Sequence, residues 1–117
     1  MKNDLLDRSK IFAINIIHFV QSLPINSIGK VLGNQLLRSG TSVGANYRSA
    51  QRAKSKSDFI YKVKIAEEEA DESIYWLELI IKSKILKDFS DAEKLLKEAN
   101  ELTAILGTIA IKSKVSK

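Results

Sequence analysis

The sequence predicts an all-α fold, an antiparallel up-and-down four-helix bundle occupying 1–117 as a single domain. Three observations carry this reading. Apolar residues recur at three- and four-residue spacing through four long stretches, and none alternates for long with period two. Five glycines and one proline in 117 residues leave too little turn material for a many-stranded β fold. The composition, 44% hydrophobic and 28% charged, is that of a chain able to bury a core rather than a disordered one.

The first helix is expected over about 4–22, with Leu5, Phe12, Ile16, Phe19, Val20 and Leu23 on its inward side. Pro24 ends it, because proline lacks the backbone donor and crowds the residue before it. The second is expected over about 27–54, opened by Asn26 or Ser27 as N-cap. The third, about 57–84, follows the capping-type start Ser55-Lys56-Ser57-Asp58 and points Phe59, Val63, Ala66, Ala70, Ile74, Leu77 and Ile81 inward. The fourth, about 90–112, opens on Ser90-Asp91-Ala92-Glu93, the pattern of a reciprocal capping box. Its inward residues are Leu95, Ala99, Leu102, Leu106 and Ile109, and its basic tail (Lys112, Lys114, Lys117) suits a helix C-terminus. Short loops between long helices make successive helices antiparallel neighbours.

The second helix is unusual. A helix-interior glycine costs about 1 kcal/mol relative to alanine, yet Gly29, Gly33, Gly40 and Gly44 fall on one stripe of this helix. Gly33, Gly40 and Gly44 in particular are assigned to close helix packing. A phosphate-cradling loop is the weaker alternative, because Gly40-Thr41-Ser42-Val43-Gly44 lacks the P-loop order and follows no strand.

The net charge is +5, and it is unevenly spread. Arg38 to Lys64 holds seven bases against Asp58 alone, while Ile65 to Ile81 holds six acids and no base. The side of the second helix opposite its glycines carries Lys30, Arg38, Arg48 and Arg52. Lys54, Lys56, Lys62 and Lys64 continue the positive run into the third helix. A solvated helix face mixes signs to form i,i+4 pairs, and this one does not. A phosphate backbone supplies the missing anions, so these eight residues are the candidate nucleic-acid contacts; acids of another subunit or of a partner protein, and plain solvation, are the alternatives.

On the third helix, Tyr61, Ile65, Trp76 and Leu79 form a second apolar sector besides the core side. A monomeric bundle needs one such stripe per helix, so these residues are the candidate homo-oligomer interface. The acids around Glu67–Glu72 suggest ion pairing with the basic run rather than metal binding, since the one histidine, His18, belongs to no Glu-x-x-His motif. His18 reads as a satisfied polar residue of the first helix. Cysteine is absent, no nucleophile–base spacing stands out, and no apolar run approaches the ~20 residues of a membrane span. The expectation is a non-catalytic protein with no cofactor, no metal and no membrane partner, lacking a signal peptide and suited to a reducing cytoplasm.

The run Leu37-Arg38-Ser39-Gly40-Thr41-Ser42-Val43-Gly44-Ala45-Asn46-Tyr47-Arg48-Ser49-Ala50-Gln51-Arg52-Ala53, with Ser57-Asp58-Phe59-Ile60 and Ser73-Ile74-Tyr75-Trp76-Leu77-Glu78-Leu79, resembles the four-helix-bundle proteins encoded by intervening sequences of bacterial 23S ribosomal RNA genes. The resemblance covers nearly the whole chain. It implies a bundle that assembles into a homopentamer, with ribosomal RNA as the suggested partner. A similar protein, the accessory variability determinant of diversity-generating retroelements, is a basic pentamer that binds nucleic acid and a reverse transcriptase. By matching position, Arg38, Arg48 and Arg52 are the basic residues the resemblance favours. It assigns no catalytic residue.

Overall fold

A computed structural model describes residues 4–116; of the basic tail, Lys117 lies outside the described residues. Four helices follow one another: α1 (Asp4–Gln21), α2 (Ser27–Ala50), α3 (Lys56–Lys82) and α4 (Ser90–Val115). They form a rod of 50 × 23 × 20 Å. Each helix packs on its sequence neighbours, α4 returns to α1, and the backbones of the diagonal pairs α1–α3 and α2–α4 stay apart. That is the square of an up-and-down bundle.

The core is built from one repeat used four times. Buried positions advance in steps of three and four: Leu5, Ser9, Phe12, Ile16, Phe19 on α1; Gly29, Gly33, Leu36, Gly40, Val43, Tyr47, Ala50 on α2, where Ser39 is buried as well, beside Gly40. On α3 they are Val63, Ala66, Ala70, Ser73, Leu77 and Ile80, and on α4 Ala92, Leu95, Ala99, Leu102, Leu106 and Ala110. This 3.5-residue rhythm keeps one seam facing its neighbours in near-parallel packing. Each buried Leu, Ile or Phe contributes about 1.5–3 kcal/mol of transfer free energy. Five expected core residues, Val20, Phe59, Ile74, Ile81 and Ile109, are only partly buried beside the seam. Ser73, Ile80 and Ala110 fill the seam positions instead.

The helix starts follow local chemistry. Asn26 accepts from the Gly29 amide at 2.9 Å and opens α2. Ser55 accepts from the Asp58 amide at 3.1 Å, while Asp58 accepts from the Lys54 amide at 3.1 Å, a reciprocal pair that opens α3. The capping box expected at Ser90 does not form. Asp88, two residues earlier, accepts from both the amide and the hydroxyl of Ser90 at 2.9 and 2.8 Å. A carboxylate is the stronger acceptor, so it captures the serine, and α4 starts without a side-chain cap.

Three ends also differ. The fourth helix runs on to Val115, past the expected 112. The second helix stops at Ala50, not near Lys54, because the Ser55–Asp58 cap fixes the start of α3 and 51–55 must turn the chain back. The third stops at Lys82, after which Lys84 adopts φ 60°, the left-handed conformation that usually falls to glycine at a helix end.

Candidate nucleic-acid interface

The glycines decide which way α2 faces. A Cβ on Gly40 would stand 2.9 Å from Ile16 Cγ1, and one on Gly33 3.1 Å from Val20 Cγ1. At Gly44 it would meet Ser9 Oγ at 3.1 Å, and at Gly29 the Pro24 carbonyl oxygen at 2.0 Å. From Gly33 to Gly44 the stripe therefore receives α1 at close range, and at Gly29 it receives the turn between α1 and α2. With α2 fixed in this rotation, Arg38 is carried to the side away from α1, whereas Lys30 and Arg48, expected opposite the glycines, border the α1–α2 seam beside Gly29 and Gly44.

Lys30, Arg38 and Arg48 are all exposed, and Arg52 and Lys54 follow on the turn rather than on the helix. Lys56 is the first residue of α3 and its ammonium reaches the Ser116 carbonyl. Lys64 is exposed and Lys62 half-buried. These cations are not equivalent. Arg38 donates to Glu72 and, at 3.4 Å, to Glu69, bridging α2 to α3. The Glu72 bond, then the Glu69 charge, push its pKa up. Lys62 pairs with Asp58 at 3.3 Å within one helix turn. Among the described residues, no acid lies within ion-pair reach of Lys30, Arg48, Arg52 or Lys64.

The acidic side of α3 meets this surface along the α2–α3 seam. Glu72 also accepts from the Trp76 indole N–H at 2.9 Å. The Arg38 bond first, and the indole second, hold its carboxyl below the usual range. Trp76 is half-buried and meets Tyr75 edge to face, with centroids 5.0 Å apart. Tyr61 is 64% and Tyr75 54% exposed, while Ile65 and Leu79 are half-buried. Tyr75 was not among the sequence candidates. Beneath this surface Ser39 and Ser73, both fully buried, lie 2.8 Å apart across the seam. Ser73 also donates to the Glu69 carbonyl at 2.9 Å, which leaves Ser39 as donor to Ser73.

The fourth seam is the loosest. α1 and α4 touch more sparsely than the other neighbours, and Arg8 clamps them with bonds to Glu98 at 2.6 and 3.0 Å and to Glu101 at 2.9 Å. These bonds push the Arg8 pKa up. Beyond the clamp opens a groove of about 480 Å³, floored by Phe12, Phe19 and Leu95 and rimmed by His18, Asp91 and Lys94. His18 is exposed there. No helix among the described residues is long and apolar enough to cross a membrane.

The family model described as 23S rRNA-intervening sequence protein matches residues 1–108. No curated protein matches the chain. Among solved structures, a protein of unknown function from the S23 ribosomal protein family of Bacteroides thetaiotaomicron is similar at 38% identity. The match covers 91% of this chain and 97% of that one, with a TM-score of 0.83.

Proposed function

The chain belongs to the 23S rRNA-intervening sequence protein family, and on that footing we propose that it is a non-catalytic, homo-oligomeric protein that contacts nucleic acid through the outer face of α2 and the turn after it. The observation that carries this reading is the set of cations without partner acids. Lys30, Arg48, Arg52 and Lys64 are exposed and unpaired among the described residues, although the chain has six acids between Ile65 and Ile81. Of those acids Glu69 and Glu72 face the α2–α3 seam, Glu67 lies against Gly107 of α4, and Glu68, Asp71 and Glu78 are exposed, which leaves the basic face open to phosphate. Arg38 contributes less than Arg48 or Arg52, because phosphate must displace Glu69 and Glu72 to reach it.

Such contacts position a polyanion without reading its sequence. Ribosomal RNA is the polyanion this reading favours, because the family description places the protein with the intervening sequence of 23S rRNA. Assembly, five-fold as the resemblance implies, runs through Tyr61, Ile65, Trp76 and Leu79, and repeats the basic face around one axis so that weak contacts add.

The test is binding of a structured ribosomal RNA fragment across a salt series. Affinity should fall steeply with salt, and replacing Arg48, Arg52 and Lys64 together by Ala should flatten the slope by about 2–3 units. Binding that ignores salt, or survives the triple replacement, contradicts the proposal.

A further inference from the structure

Two recesses interrupt the outer side of the α1–α2 seam. One, of about 360 Å³, has Leu6, Ala13 and Ala45 along its wall, with Lys10, Arg48 and Asp7 at its rim. The other, of about 320 Å³, has Val20, Leu23 and Pro24 along its wall, with Lys30 and Asn34 at its rim. Arg48 and Lys30 are 18 residues apart on α2, five full turns, so they share one side of the helix about 27 Å apart. Lys10 of α1 completes the pair at the Arg48 end. It is exposed and has no ion pair among the described residues.

We propose that the α1–α2 seam is a track for single-stranded nucleic acid, with the Lys10–Arg48 pair and Lys30 holding phosphates and the two recesses receiving unpaired bases. The inference rests on the nucleic-acid reading above and narrows it to one seam and one strand state. An apolar wall beneath a cationic rim matches a nucleotide whose base is free to turn away from its phosphate. A duplex keeps its bases stacked inside and cannot fill the recesses. The length between the basic ends lies within the reach of single-strand sites, about 4–16 nucleotides. The two cations beside the first recess outnumber its one acid, Asp7. The α2–α3 seam offers no such track: its arginine, Arg38, is already bound to two glutamates.

The experiment compares a labelled unpaired RNA of about 12 nucleotides with a hairpin duplex of equal length, by fluorescence anisotropy on the intact protein. The single strand should bind about tenfold tighter. Lys10→Ala with Arg48→Ala should weaken it about tenfold, and Arg38→Ala less than about twofold. Ala45→Leu, which narrows the first recess without changing charge, should weaken the single strand severalfold and leave the duplex unchanged. Thermal melts of each variant establish that it folds. Equal or tighter duplex binding, or single-strand binding indifferent to Lys10, Arg48 and Ala45, overturns the track while the basic-face reading survives. Failure to bind either RNA overturns both.

Discussion

The sharpest constraints in this molecule sit at single residues. Gly40 trades helix propensity for the close approach of Ile16, a fully buried β-branched side chain with little room to retreat. Alanine there would gain about 1 kcal/mol of intrinsic helix preference but forces overpacking that costs about 1–3 kcal/mol. Gly40→Ala should therefore lower the denaturation midpoint. Gly29→Ala should be worse, because its neighbour is the backbone carbonyl of Pro24. Lys84 offers the opposite change. Its left-handed backbone costs a non-glycine residue about 1–2 kcal/mol, so Lys84→Gly should raise the melting temperature. The buried serine pair gives an asymmetric expectation. Ser39→Ala leaves Ser73 donating to the Glu69 carbonyl, whereas Ser73→Ala leaves Ser39 only the long 3.4 Å bond to the Leu36 carbonyl. Urea titration should find Ser73→Ala the costlier by about 1 kcal/mol, the order of one poorly satisfied buried hydroxyl.

At the scale of the helices, three carboxyls tie element ends or seams together and titrate accordingly. Asp58 is held below its ordinary pKa by the Lys54 amide, Asp88 by the Ser90 amide and hydroxyl, and Glu72 by Arg38 and Trp76. A carboxyl depressed in the folded state contributes stability above its unfolded pKa, about 4 for Asp and Glu. That contribution is lost as pH falls through the folded value. Glu72→Gln should thus lower the melting temperature at pH 7, and the gap to the parent should close below about pH 4. A gap that persists unchanged at acid pH would contradict this origin. The helices themselves were legible in the sequence wherever a local signal existed. Pro24, Asn26 and Ser55 mark boundaries through their own backbone chemistry, and the glycine stripe followed from spacing alone. The end of α2 was less legible, because Gln51-Arg52-Ala53-Lys54 contains no breaker and the turn is imposed by the next helix's cap. Ser90-x-x-Glu93 misled because Asp88 competes for the same serine. Ser9, Ser39 and Ser73 occupy seam positions that polar residues disguise in a hydrophobic pattern. The Arg38 bridge was invisible, since it depends on which acids 31 and 34 residues away the α2–α3 register brings alongside.

At the scale of the whole molecule, the bundle segregates two jobs onto α2. Its glycines are consumed by α1, Lys30 and Arg48 stay open along the edge of that seam, and the acids of α3 satisfy only Arg38 among the cations of α2. A monomer with one open basic face makes few phosphate contacts, and assembly multiplies them. The exposed Tyr61 beside half-buried Ile65, Trp76 and Leu79 supplies the surface on which copies would meet, so Tyr61→Glu with Leu79→Glu should reduce the mass in solution while helical content is retained. One measurement bears on the central claim most directly: the mass of the full chain in solution at low and at high salt, with bound nucleic acid followed by its absorbance. The account predicts an oligomer that carries nucleic acid at low salt and sheds it at high salt with the oligomer intact. A monomer free of nucleic acid at both salts would contradict it.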